Sequence, residues 1–376
     1  MQIAILGTRG IPNHYGGFEQ FAEYLALGLV KRGHGVIVYN SHNHPYKETS
    51  WNGVKLIHIF DPEYKLGTIG QFIYDLNCIR NLKKHNLDII LQLGYTSSSV
   101  WYKFFPDKPV ITTNMDGLEW KRTKFGKLVR SFLLVAEKLA VKSSDHLISD
   151  SIGIQKYINQ KYNANSTYIP YGADFFDNPN ERKLDDYSLS KYQYNMLVAR
   201  LEPENSIEII LDGMVKSNTS KSFLVIGKHQ TKYGEYLKNK YKPYCKIKFI
   251  GGVYDIDTLN NLRYFSNLYF HGHTVGGTNP SLLEAMASSS LISANDNNFN
   301  RYILGDDAMY FTTSDEVAEQ LNDTNKSSKK YLDFVINNNL KIKEQFSWQK
   351  IIDQYEQHFF TINTLKKSKL EIHNEK

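Results

Sequence analysis

The sequence predicts an α/β chain of two doubly wound Rossmann-like domains facing each other across a cleft. Its 376 residues exceed the roughly 250–300 at which a single hydrophobic core stops growing, so two cores are expected. Short β-rich apolar runs alternate with amphipathic stretches, which is the pattern of parallel strands covered on both faces. That alternation occurs twice, on either side of a polar stretch without periodicity.

In the first half the strand candidates are "QIAIL", "GVIVY", "DIILQL", "PVITT" and "HLISD". Between the first two, Phe18, Phe21, Ala22, Leu25 and Leu29 fall at helical spacing, and Gly33 is placed to end the helix. The second half repeats the scheme with "NMLVA", "SFLVIG", "KIKFIG", "NLYFHG", "LISA" and "DDAMYF". These runs set a first domain at 1–178, a linker around Pro179 at 179–192 and a second domain at 193–346. A closing helix follows in "SWQKIIDQYEQHFF" at 347–364, then a basic tail at 365–376.

Composition narrows the function classes. No apolar run approaches the roughly 18–20 residues that span a bilayer, and the N-terminus lacks the features of a signal peptide, so a cytoplasmic protein is expected. Cys78 and Cys245 are the only cysteines and lie far apart, which suggests neither a disulfide framework nor a zinc site. The net charge of +6 suits anionic partners without choosing among them. A nucleic-acid binder would account for the charge but not for the glycine loops described next.

In doubly wound sheets ligands bind beyond the carboxyl ends of the strands, so the loops there matter most. "GTRGIPNHYGGFEQF" follows the first strand and holds Gly7, Gly10, Gly16 and Gly17, with a helix starting near Gly17. Glycines permit close backbone approach and a helix start offers free N–H groups, so an anion would suit this loop, although a simple tight turn also uses glycine. The spacing is not that of the GxGxxG dinucleotide fingerprint. After the first strand of the second half, Arg200 opens "RLEPEN"; its guanidinium can grip phosphate, or pair with Glu202 or Glu204. In "HGHTVGGTNPSLLEAMA", Asn279 and Pro280 read as N-cap and first residue of a helix, and Gly276, Gly277 and Thr278 form a close-approach loop before it. Glu284, flanked by apolar residues, reads either as a dipole partner or as an acceptor for a ligand hydroxyl. His271 and His273 lack a third ligand, and packing on one face of a strand end explains both. The DxD at Asp255–Asp257 reads as a helix cap. In the first half Asn114, Asp116 and Glu119 end a strand, and Lys121 to Arg130 interleave basic and aromatic residues; that segment either docks on an anionic membrane or is a solvated helix on a core.

Together these pieces resemble the GT-B fold retaining glycosyltransferases of family four. The motifs "ILGTRGIPNHYGGFEQF", "NMDGLEWKR", "ARLEPENSIE" and "HGHTVGGTNPSLLEAM" are most similar to the bacterial rhamnosyltransferase-like subgroup of polysaccharide biosynthesis. The resemblance implies a GT-B architecture whose C-terminal helix returns to the first domain. It implies a nucleotide-diphosphate sugar as donor, a saccharide or lipid-linked saccharide as acceptor, no cofactor and no metal. Donor-binding roles fall on Arg200, Asn205, Gly277, Thr278, Asn279 and Glu284, with Gly16 and Gly17 completing the phosphate end. Acceptor-binding roles fall on His14, Tyr15, Asp116 and Glu119, and Arg200 and Asp116 are the catalytic candidates. The chain departs from the family where a lysine is replaced by Asn205, an acid by Gly276 and a histidine by Asp116. No residue is an evident covalent nucleophile. The expected function is transfer of a sugar such as rhamnose, with a sugar-nucleotide 2-epimerase and a degenerate nucleotide-sugar-binding subunit as alternatives; contact with the inner membrane face is expected through Lys121 to Arg130.

Overall fold

Ile3, Ala4, Ile5 and Leu6 are almost wholly buried, which is why this run shows no polar alternation: strand β1 (Gln2–Leu6) is covered on both faces. The computed structural model describes residues 1–14, 16–122 and 125–374. Around β1 an eight-stranded sheet assembles in the order β3-β4-β2-β1-β5-β6-β7-β8. Its other members are β2 (Gly35–Ser41), β3 (Ser50–Trp51), β4 (Val54–Ile59), β5 (Ile89–Leu93), β6 (Val110–Asn114), β7 (His146–Ser149) and β8 (Thr167–Tyr168). All pair in parallel except β3 with β4, a hairpin turned by Asn52 and Gly53 at φ 47° and 85°. Helices α1 (Gly17–Lys31), α2 (Glu63–Leu66), α3 (Thr68–Leu82), α4 (Lys127–Ser143) and α5 (Ile152–Tyr162) connect the strands. On α1 Phe21, Ala22, Leu25 and Leu29 of the predicted stripe are buried while Phe18 is half-buried, and Gly33 follows the helix at φ 83°.

The second sheet has six parallel strands in the order β11-β10-β9-β12-β13-β14. They are β9 (Tyr194–Val198), β10 (Ser222–Ile226), β11 (Ile247–Gly251), β12 (Leu268–His271), β13 (Ile292–Asn295) and β14 (Met309–Phe311). Helices α6 (Ile207–Lys216), α7 (Lys232–Tyr241), α8 (Ile256–Tyr264), α9 (Pro280–Ala287), α10 (Asn298–Leu304), α11 (Ser314–Asp323) and α12 (Leu332–Lys341) cover it. One face carries a continuous apolar core that includes Ile210, Leu211, Phe223, Phe270 and Phe311.

Contacts divide the chain into one unit of Met1–Tyr171 with Trp348–Lys376 and another of Gly172–Ser347. Residues 172–192, assigned by sequence to the first domain and a linker, therefore belong with the second unit. They carry a 3-10 turn over Glu181–Tyr187 whose Leu184 is buried, and the Phe176 N–H donates to the Ala287 carbonyl at 3.0 Å. The final helix, α13 (Trp348–Asn374), packs on the first unit, as the resemblance implies. Trp348 stacks on Tyr24 at 4.4 Å, Tyr355 accepts from the Asn114 amide at 3.1 Å, and a Cβ on Gly28 would meet Ile352 at 2.5 Å. The predicted tail is corrected here: residues 365–374 continue the helix, and Lys366 donates to the Pro109 carbonyl at 2.9 Å.

Candidate donor and acceptor sites

In the second unit the strand order reverses between β9 and β12, the switch point where doubly wound sheets open a crevice. The two loops leaving those strands are sewn together. Thr274 donates to the Glu204 carbonyl from its N–H at 3.0 Å and from its hydroxyl at 2.8 Å. A Cβ on Gly272 would lie 2.1 Å from the Asn205 carbonyl oxygen, so only glycine lets the strands' ends approach this closely. Asn205 is buried and its amide donates to the Arg200 carbonyl at 2.7 Å, so it shapes the loop that presents Arg200. Arg200 itself is exposed, and its guanidinium makes no ion pair among the described residues; the alternative pairing with Glu202 or Glu204 is not formed.

The loop from β12 into α9 is built as its sequence requires. The Asn279 side chain accepts from the Ser281 N–H at 3.0 Å and Pro280 takes the first helical position. Thr278 is buried. Gly276 has φ 135°, while a Cβ there would meet nothing within 4 Å; the backbone conformation, not crowding, demands glycine at this position. Glu284 is held by an arginine not singled out from the sequence: Arg263 Nη2 donates to its Oε2 at 2.6 Å. His271 and His273 stack at 4.4 Å, the packing arrangement their alternation suggests. Burial, reinforced by His273 and Arg263, pushes the His271 imidazole well below its ordinary pKa and keeps it neutral. Asp255 caps α8 by accepting from the Thr258 N–H at 3.1 Å. Among the described residues no three His, Cys, Asp or Glu side chains gather as metal ligands do.

The first unit has its own switch point between β1 and β5. Gly7, at φ 94°, would place a Cβ 2.2 Å from the Leu93 carbonyl oxygen, so the loop after β1 presses on the end of β5. Three anchors fix that loop. The Arg9 N–H donates to Glu19 at 2.8 Å, the Arg9 guanidinium forks onto Glu63 at 3.0 and 2.6 Å, and Asn40 bonds both the N–H and carbonyl of Ile11 at 3.1 and 2.8 Å. Gly16 precedes α1 as its cap and Gly17 begins the helix. His14 meets His44 edge-on at 4.3 Å. Tyr15 and Lys124 lie outside the described residues. Beyond β6, Asp116 occupies the left-handed region at φ 46°, and its N–H donates to Asn114 at 2.9 Å. Glu119 is turned onto Arg122, whose Nε and Nη2 reach its Oε1 at 2.8 and 2.6 Å, so it enters any acceptor site already paired. Behind β5, Ser97 donates to the fully buried Asp75, whose carboxyl burial pushes up to about 7.

A family model described as a domain of unknown function, DUF1972, matches residues 1–174. No curated protein matches the chain. Among solved structures, sucrose-phosphate synthase (tll1590) from Thermosynechococcus elongatus is similar with a TM-score of 0.79 and 15% identity, over 97% of this chain and 99% of that one. Anabaena HepE, crystallised with UDP and glucose, gives 0.77 and 17%, over 96% and 100% of the two chains. The fold is GT-B. WaaG, a glycosyltransferase involved in lipopolysaccharide biosynthesis, shares it at a TM-score of 0.70 and 15% identity, over 93% and 98%.

Within this GT-B chain, Arg200, Asn205, Gly277, Thr278, Asn279 and Glu284 occur on the loop after β9, the loop after β12 and helix α9. His14, Gly16, Gly17, Asp116 and Glu119 belong to the loops after β1 and β6 and to the start of α1. Buried charges escaped sequence reasoning, Arg263 and Glu137 among them. Arg263 lies four residues beyond Leu259 on α8, and Glu137 four beyond Leu133 on α4, each on the buried stripe of its helix. A charge at an i+4 position of an apolar stripe was the available signal.

Proposed function

We propose that this GT-B chain transfers a hexosyl group from a nucleotide-diphosphate sugar to a saccharide acceptor. The observation that carries the reading is the second unit's switch point, where the exposed Arg200 side chain and the capped start of α9 are offered by two loops sewn together. A guanidinium and a helix start both favour phosphate oxygens. In the transfer, the bond from the anomeric carbon to the donor phosphate breaks and one to the acceptor oxygen forms on the same face, with retention. The leaving phosphate takes the acceptor proton, and Arg200 with the Gly277–Asn279 loop stabilises its charge, without need of a metal. Asp116, held at the end of β6 in the first unit, orients an acceptor hydroxyl. That HepE was crystallised with UDP-glucose supports the donor class.

A panel of nucleotide sugars tested by thermal shift checks this reading. A true donor at about 100 times its Kd stabilises by roughly 2.7 kcal/mol, and transfer must then require an added acceptor. No stabilisation by any nucleotide diphosphate would overturn it, and donor conversion without acceptor would make the chain an epimerase.

Within this reading the sugar is a 6-deoxyhexose such as rhamnose and the acceptor is lipid-linked. Among the described residues no helix is long and apolar enough to cross a membrane. Helix α4 instead exposes Leu128 (87%), Val129, Phe132 and Val135 beside exposed Lys121 and Lys127, a combination that suits an anionic bilayer surface. Co-sedimentation with phosphatidylglycerol vesicles should drop several-fold when Lys121 and Lys127 become glutamate; unchanged binding would count against this surface.

A further inference from the structure

Helix α8 buries an arginine completely: the Arg263 side chain is 1% exposed. A guanidinium does not lose its proton inside a protein, so burying it demands a counter-charge. Its Nη1 donates to Asn260 at 3.1 Å and its Nη2 to Glu284 at 2.6 Å, while Nε has no partner among the described residues. His271 beside it is neutral and supplies no compensation. The pair with Glu284 is lopsided, because the glutamate side chain is 18% exposed against 1% for that of the arginine. The cation therefore sits behind and the carboxylate in front, on the helix whose start follows the Gly276–Asn279 loop. A buried ion pair often gains no stability over apolar residues of like volume, which points to the orientation of Glu284 as the reason for this one.

We propose that Arg263 is a positioning residue for the donor nucleoside, holding the Glu284 carboxylate aimed to accept from the vicinal ribose hydroxyls. The inference rests on the donor reading given above. A carboxylate has two acceptor oxygens and can serve two neighbouring hydroxyls, provided it is turned toward them. Fixing it from behind also removes the rotamer freedom that a flexible glutamate would lose on binding. The consequence is selectivity at the ribose, separate from grip on the phosphates.

The test uses the full chain and titration calorimetry with UDP, CDP, ADP and GDP, then the 2′,3′-dideoxy form of the tightest binder. The native chain should prefer the ribonucleotide by about tenfold or more, as charge-assisted bonds warrant. Arg263→Met should bring that preference close to unity while affinity for the dideoxy form stays within about twofold, and Arg263→Lys should keep part of it. Retained preference in Arg263→Met, or equal loss for both nucleotides, would overturn the proposal, since a merely structural arginine would move both alike. Should Arg263→Met fail to fold, the double variant Arg263→Met/Glu284→Gln removes both charges and should match Glu284→Gln alone in selectivity. A further tenfold loss in the double variant would also overturn it. A native chain that binds none of the four nucleotides would instead sink the donor reading itself.

Discussion

Arg200→Ala is expected to slow sugar transfer by roughly 100-fold or more, the usual consequence of removing one preorganised charge from a developing anion. The same substitution should leave the unfolding free energy within about 0.5 kcal/mol, because the side chain is exposed and pairs with nothing among the described residues. That combination separates a functional arginine from a structural one. The backbone at this position is fixed independently, through the Asn205 amide on the Arg200 carbonyl at 2.7 Å, so truncation beyond Cβ does not disturb the loop. Arg200→Lys should recover only part of the rate, since an ammonium keeps the charge but loses the planar fork. Single-turnover kinetics with saturating donor, alongside urea unfolding of the same variants, provide both readouts. Native turnover in Arg200→Ala would remove Arg200 from the mechanism, and a matching loss of stability would make it a structural residue.

The parts of the fold that were legible are those where one physical rule acts alone. Strands β1, β2 and β5 read clearly because both faces are buried and the residues are predominantly apolar. The start of α9 read clearly because Asn279 and Pro280 do there what their side chains do at any helix start. The β3–β4 hairpin is hard to read although Trp51-Asn52-Gly53-Val54 carries the strongest short-range hairpin signal, because Lys55 and His58 break the apolar run of β4. The last helix ran past its predicted end because a polar, basic composition is equally that of a frayed tail and of a solvated helix. Lys366 settles the matter only by reaching a carbonyl more than 250 residues earlier, at Pro109.

The site shows the same division. Glycine loops at strand ends and a capped helix mark where a ligand's phosphates could lie, since those features are local. Which acid is free and which is committed is not local. Glu119 proves paired with Arg122, Glu284 with Arg263 across 21 residues of chain, and Asn205 is engaged by its own loop. Side chains that look alike in sequence thus differ in how much of their hydrogen-bonding capacity a ligand can claim.

Glu137 is the clearest case of a committed acid, and replacing it should produce the largest loss of stability in the first unit. Its side chain is 1% exposed and its carboxylate gathers five donors, three from α5, one from the turn at Glu119–Lys121 and one from the loop after β5. Tyr157, Lys161 and Tyr162 reach Oε1 at 2.7, 2.9 and 2.5 Å, and Trp120 and Tyr95 reach Oε2 at 3.2 and 3.4 Å. Burial, together with the Glu137 carboxylate, holds the Tyr157 and Tyr162 phenols well above their ordinary pKa, so both stay protonated and keep donating. Glu137→Leu strips every acceptor at once and should cost about 3–5 kcal/mol, the range for breaking a buried charged network from one side. Glu137→Gln keeps the shape but turns an N–H₂ group toward other donors, so it should cost less without being neutral. In calorimetry the transition of the first unit should fall by roughly 6–20 °C in the leucine variant, at about 2–4 °C per kcal/mol for a unit of this size. Because Trp120 ties the loop after β6 to this carboxylate, acceptor KM should rise in the glutamine variant while nucleotide binding by the second unit stays unchanged. A leucine variant as stable as the native chain would show that the five donors find water as good a partner, and the hub would then hold neither the loop nor the fold.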